Sequence, residues 1–175
     1  MTAKPAGVPR RTLLAMGVSA AAASCGGPKS SGAWRFFTDG EARTAEAISA
    51  QLIPSGPLPG AREAGVVNYI DLQLSRRFRK HQQAYRAGLA NADEVSRKQA
   101  GKPFCELASD QQIAVLNTLE ENAKPFFQLI LAHTRQGFYG DPRHGGNRNM
   151  VSWKMVGLPF PQVRGREQYG DPEKS

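Results

Sequence analysis

The chain has 175 residues, with 23 Lys and Arg against 15 Asp and Glu, a formal net charge of +8, and 12 prolines with 18 glycines. That length supports one domain with a single core, and the glycine and proline content requires long irregular connections. The two cysteines are Cys25, at the end of a leader-like segment, and Cys105, an arrangement that excludes a disulfide framework.

Residues 1–25 read as an export signal. Arg10-Arg11 precedes a weakly apolar stretch of small residues from Ala15 to Ala23, and no acidic residue occurs before Asp39. A positive start, an apolar segment too short to span a bilayer, and Ala21-Ala22-Ala23 ahead of a cleavage point are the parts of a twin-arginine (Tat) leader. An ordinary Sec leader and a basic N-terminus retained in the cytoplasm share the paired arginines. Ala22-Ala23-Ser24-Cys25 is close to a lipobox but lacks the bulky aliphatic residue, which makes Cys25 a candidate lipidation site. Tat transports folded proteins, so the expectation is a periplasmic chain at the outer face of the cytoplasmic membrane. Lys4, Arg10 and Arg11 leave with the leader, so part of the positive charge is address label.

After a linker over 26–35, Thr38 and Glu41 form a capping-box pattern that opens a helix through Ala42, Ala45, Ile48, Leu52 and Ile53, stopped by Pro54. Residues 54–65 hold three prolines and three glycines and read as a loop. A second helix is predicted from Val66 to Phe78 with Val67, Ile70, Leu74 and Phe78 on one face, and a third over Gln82 to Gln99 with Tyr85, Leu89 and Val95 inward. Ser109 with Gln112 fits another capping box, opening a helix that carries Ile113, Leu116 and Leu119. Pro125 suits the first turn of a fifth, continued by Phe126, Leu129, Ile130 and His133. From Gly137 the composition turns to Gly, Pro, Asn and Arg, leaving one candidate helical turn at 149–156. Strand-like alternation is absent. The expected fold is a mostly α single domain of about five helices over 36–161, with the 54–65 loop and an extended C-terminal tail outside it and a flexible polar end at 162–175. Phe78, Leu89, Ile113, Leu116, Leu129 and Ile130 are the expected core.

The sequence has no Cys-x-x-Cys-His for haem, no Gly-x-Gly-x-x-Gly before a helix and no Gly-x-Ser-x-Gly elbow, so no cofactor, catalytic residue or metal is expected on this chain. His81, His133 and His144 have no second histidine or cysteine at ligand spacing. The Gly137 to Arg148 segment has two readings: glycines and turns that build a loop, or a cradle for a phosphate or carboxylate. Arg76, Arg77, Arg79, Lys80, His81 and Arg86 form a basic stretch whose ordinary explanation is a solvated helix face. A docking face for an acidic partner or lipid surface is the alternative, and nucleic acid is not expected as a partner.

Several motifs occur together in order: Phe36-Phe37-Thr38 with Glu41, Leu52-Ile53-Pro54, Pro59-Gly60-Ala61-Arg62-Glu63-Ala64-Gly65-Val66, Tyr69-Ile70-Asp71, Tyr85-Arg86-Ala87-Gly88-Leu89, Gly137-Phe138-Tyr139-Gly140-Asp141-Pro142-Arg143-His144-Gly145-Gly146-Asn147-Arg148, and Trp153-Lys154 with Gly157. Over about residues 34–161 the chain resembles the gluconate 2-dehydrogenase subunit 3 family, although His144 stands where that family has tyrosine. The resemblance implies a non-catalytic small subunit of a periplasmic sugar or sugar-acid dehydrogenase. Its implied partners are a glucose-methanol-choline (GMC)-type flavoprotein large subunit that binds FAD, a cytochrome c subunit carrying haem c, and the Tat translocase. Aromatics and arginines in a tail with little helix to bury them suit an interface. Phe138, Tyr139, Arg143, Arg148, Trp153 and Phe160 are therefore the expected partner surface. A free-standing exported hydrolase or binding protein using Asp141, Arg143 and His144 is the alternative.

Overall fold

The structure is a computed structural model and describes residues 34–158. Arg10, Arg11, Cys25, Phe160 and the 162–175 segment lie outside the described residues.

Six α-helices and four short 3-10 turns make up the described chain: α1 (Asp39–Leu52), α2 (Val66–Leu74), α3 (Gln82–Ala100), α4 (Ser109–Asn122), α5 (Lys124–Tyr139) and α6 (Val151–Met155), with turns at 79–81, 104–106, 142–144 and 148–150. Among the described residues there is no strand, and no helix is long and apolar enough to cross a membrane. Helix α1 starts where the capping pattern places it. The Thr38 hydroxyl accepts from the Glu41 N–H at 3.3 Å, and the Glu41 carboxylate accepts from the Thr38 N–H at 2.8 Å.

Helix α1 packs against α2, α3, α4 and α5, which explains its small side chains. Ala42, Thr44, Ala45, Ala47, Ile48 and Ser49 are all buried, and bulkier residues there would hold four neighbours apart. Helices α3 and α5 approach closely at Gly88, where an added Cβ would fall 2.1 Å from the Phe126 ring. Helices α2 and α5 do the same at Gly137, where a Cβ would lie 2.9 Å from Tyr69.

The second helix stops at Leu74, four residues before the expected end, and the chain turns through 75–81 before α3 begins. The start of α4 is also shifted. Ala108 is the N-cap residue, its N–H donating to Gln111 Oε1 at 3.2 Å, while Ser109 is already helical. The buried face of α4 is Gln112, Val115, Leu116 and Leu119, so Ile113 points outward at 46% exposure and is not core. The buried polar Gln112 sets that face, because its Nε2 donates to the Phe104 carbonyl at 3.0 Å and its Oε1 accepts from Gln51 at 2.6 Å. Leu89, Leu116 and Ile130 are buried as expected, whereas Phe78 and Leu129 are half-buried against the core.

The loops are only partly outside the body: residues 54–58 are exposed, while the second half of the first loop folds inward. In 54–65, Ala61 and Ala64 are buried and Ala61 N–H donates to the Ile53 carbonyl at 2.9 Å. Glu63 ties the loop together by accepting from Ser55 Oγ at 2.6 Å and Gly60 N–H at 2.8 Å. The segment after α5 folds back over α2 and α5.

Candidate functional site

Residues from the end of α5 to Leu158 carry most of the candidate positions. Helix α5 persists through Tyr139 rather than breaking at Gly137. That extension corrects the placement of Phe138: its side chain is 1% exposed, inside this chain's own core, and cannot offer surface to a partner. Tyr139 meets the Phe138 ring edge-on at 4.9 Å and is itself 56% exposed.

Asn147 fastens the loop. It is fully buried at φ 42°, in the left-handed region that asparagine tolerates better than most residues. Its Nδ2 donates to the Gly140 carbonyl at 3.0 Å, its Oδ1 accepts from Ser152 N–H at 3.0 Å, and its own N–H donates to the Gly137 carbonyl at 2.8 Å. Gly146 lies so close that a Cβ there would sit 2.1 Å from the Gly137 oxygen. The Arg148 N–H then donates to the Ala64 carbonyl at 2.9 Å, joining this loop to the one before α2. These contacts give the glycines and Asn147 a structural role.

The remaining positions divide. Arg143 is exposed but committed: Asp141 accepts from its backbone N–H at 2.9 Å, Nε at 3.0 Å and Nη2 at 2.6 Å. These hydrogen bonds hold the Asp141 carboxyl below the usual range. The His144 backbone N–H donates to the Asp141 carbonyl at 3.0 Å, but among the described residues no hydrogen bond joins the Asp141 carboxylate to the His144 ring, so the three do not form a base oriented by a carboxylate. The exposed Arg148 places its guanidinium over Gly65, and half-buried Trp153 donates from Nε1 to the Tyr139 carbonyl at 2.8 Å. Met155, Val156 and Leu158 follow at 39%, 61% and 39% exposure. An exposed, partly apolar surface therefore runs from Tyr139 through Trp153 to Leu158.

The basic stretch is also split by the fold. Arg86 stacks over the Phe36 ring at 4.4 Å, donates to the Phe36 carbonyl at 2.8 Å and pairs with Glu41. It thereby clamps the segment ahead of α1. Asp71 holds the same segment, accepting from the N–H groups of Arg35, Phe36 and Phe37 at 2.8, 2.9 and 3.0 Å. Arg76, Arg77 and Lys80 stay exposed beside α2.

Beneath them lies an aromatic stack that spacing alone does not reveal. His133 on α5 is parallel to Phe78 at 4.1 Å and to Tyr85 at 5.8 Å, with His81 edge-on at 5.6 Å. The Tyr85 hydroxyl and His133 Nδ1 are 2.9 Å apart, a hydrogen bond that either tautomer can make. Burial, aided by His81, pushes His133 down to about 4, and burial pushes the Tyr85 phenol up. Both are neutral near pH 7, and they serve as a packed polar pair rather than an exposed acid and base. The only sequence signals were the position of His133 on the inward face of α5 and that of Asp71 on the Val67, Ile70, Leu74 stripe of α2. Among the described residues no group of three or more His, Cys, Asp or Glu is placed to hold a metal ion.

Residues 39–159 match the family described as gluconate 2-dehydrogenase subunit 3. No curated protein and no solved structure matches the chain.

Proposed function

The chain belongs to the gluconate 2-dehydrogenase subunit 3 family, and from that premise we propose that it is the non-catalytic small subunit of a membrane-associated, FAD-dependent sugar or sugar-acid dehydrogenase. In this reading its GMC-type flavoprotein partner carries the FAD and the substrate pocket, a cytochrome c subunit carries haem c, and the Arg10-Arg11 leader takes the folded pair through the Tat pathway to the periplasm. The observation that supports a docking role is the surface formed by exposed Tyr139, Met155, Val156 and Leu158 together with half-buried Trp153, where aromatic and methionine side chains of the kind that anchor interfaces stand outside the core. The alternative of a hydrolase built on Asp141, Arg143 and His144 draws no support from a carboxylate already committed to its own arginine.

The test is co-expression with a GMC-type flavoprotein large subunit, followed by affinity capture and periplasmic fractionation. Tyr139→Ala and Trp153→Ala should each weaken assembly by roughly 2 kcal/mol, lowering the yield of exported complex while the KM of the complex that forms stays unchanged. Arg10→Lys with Arg11→Lys should hold both chains in the cytoplasm. Normal assembly with lost turnover would make this surface part of an active site, and a partner still exported without the arginine pair would end the escort role.

A further inference from the structure

A polar hollow of about 470 Å³ opens between the end of α2, the 79–81 turn and the loop at His144. Arg77, Lys80, His81 and His144 contribute basic side chains to its lining, and no carboxylate lines it. Among the described residues none of these four takes part in an ion pair, whereas Arg62, Arg97, Lys98 and Arg143 elsewhere on the surface each face an acid within 4 Å. The fixed charges of Arg77 and Lys80, with no acid within 4 Å of either among the described residues, raise the local concentration of anions.

The hollow is built on fixed elements. Tyr69 and Gln73 reach it from α2 and are only 8% and 5% exposed. The Tyr69 hydroxyl donates to Gln136 Oε1 at 3.2 Å, which leaves the Gln136 amide NH₂ available as a donor. Gly145, at φ 95°, lets the His144 loop lie against α2, where a Cβ would come within 3.2 Å of Leu72. Gln73 Nε2 spans to the His144 carbonyl at 3.5 Å, and the stacking of Phe78 on His133 fixes the wall beneath His81. The frame of the hollow is thereby held in place, so the ordering needed on binding is confined to the exposed Arg77 and Lys80 side chains.

We propose that this hollow is an anion site that binds a phosphate group. Arg77 and Lys80 supply charge-assisted hydrogen bonds from one side, and Gln136 and His144 supply donors from α5 and the loop. Donors approaching from several elements suit the oxygens of a tetrahedral anion better than the two coplanar oxygens of a carboxylate. The hollow is open, so free phosphate and the phosphate of an anionic phospholipid headgroup present the same chemistry to it. The site stands independently of the subunit reading, because every residue in it belongs to this chain.

Titration calorimetry on the full chain with inorganic phosphate, and co-sedimentation with phosphatidylglycerol vesicles at matched ionic strength, test the site. Binding should be saturable and weaken about tenfold or more in Arg77→Ala/Lys80→Ala, and remain unchanged in Arg97→Ala/Lys98→Ala on α3. Gln136→Leu, which removes a donor without altering charge, should weaken it in the same direction. Vesicle binding lost in the first variant identifies the lipid headgroup as the source, and binding of phosphate alone identifies a soluble ligand. Absence of saturable binding in both assays, equal loss in the two double variants, or acetate binding as tightly as phosphate would overturn the proposal.

Discussion

Between α1 and α5 the chain buries Ile48, Ile70, Leu89, Phe104 and Ile130 to 2% exposure or less, whereas between Gly140 and Leu158 the buried side chains are Asn147 and Ser152, both polar. The helical body is held by removal of apolar surface from water and the loop by satisfied backbone groups and close glycine contacts. A loop held in this way keeps its large side chains free. Met155, Val156 and Leu158 are exposed because the loop does not need them for its own stability, and together with Tyr139 at the end of α5 they are available for docking.

The largest effect should come where the two regions meet. Phe138→Ala removes a fully buried ring at the end of α5 and should cost roughly 3 to 5 kcal/mol in urea unfolding. A loss under about 1 kcal/mol would mean that the end of α5 belongs energetically to the loop rather than to the body.

Acid should separate the regions next. His133 lies in the body with its pKa lowered from 6.5 to about 4. A depressed pKa favours the neutral ring in the folded state, so its contribution is fully present above about 6.5 and is lost as pH falls through about 4. Wild type should lose roughly 2 to 3 kcal/mol more than His133→Gln over that window. Parallel pH profiles for the two proteins would show that the stack does not control the protonation of His133.

Asn147→Ala tests the loop's own fastening. It removes two side-chain hydrogen bonds and places an ordinary residue at positive φ, with an expected cost of about 2 kcal/mol and a change in Trp153 fluorescence as the loop loosens. Asn147→Gly, which relieves the backbone but not the lost hydrogen bonds, should recover part of the stability. Unaltered Trp153 emission in both variants would show that the backbone contacts suffice without the side chain.

Arg86→Ala should have the smallest effect, about 1 kcal/mol, because the pair with Glu41 and the stacking on Phe36 are partly exposed. Faster amide exchange confined to residues 34–37 is the expected signature. Exchange that accelerates throughout α1 would move this clamp into the body's cooperative unit.

Helix existence was legible wherever apolar spacing was long and bounded by clear stop signals. Thr38 with Glu41, Pro54 and Pro125 mark helix ends by backbone chemistry that acts within a few residues, so local sequence suffices to find them. Ile113 was misplaced because a helical stripe read from apolar residues alone ignores a buried amide, and Gln112 takes the inward position by bonding to Phe104 and Gln51, partners on distant segments. The candidate interface was only partly legible for the same reason. Phe138 and Tyr139 are adjacent aromatics in a glycine-rich context, and nothing local distinguishes the one that α5 turns inward from the one it leaves out.

By itself, then, the sequence determined the helical class, the capped start of α1, the glycine-rich character of the loop and the family pattern, all of which depend on periodicity or short-range chemistry. Tertiary structure alone decided that Asp71 receives three N–H groups from residues 35–37, that His133 lies between Phe78 and Tyr85, and that Arg77, Lys80 and His144 surround one hollow. Each of these unites residues tens of positions apart, and their meeting depends on how α2, α3 and α5 pack, which no local pattern encodes.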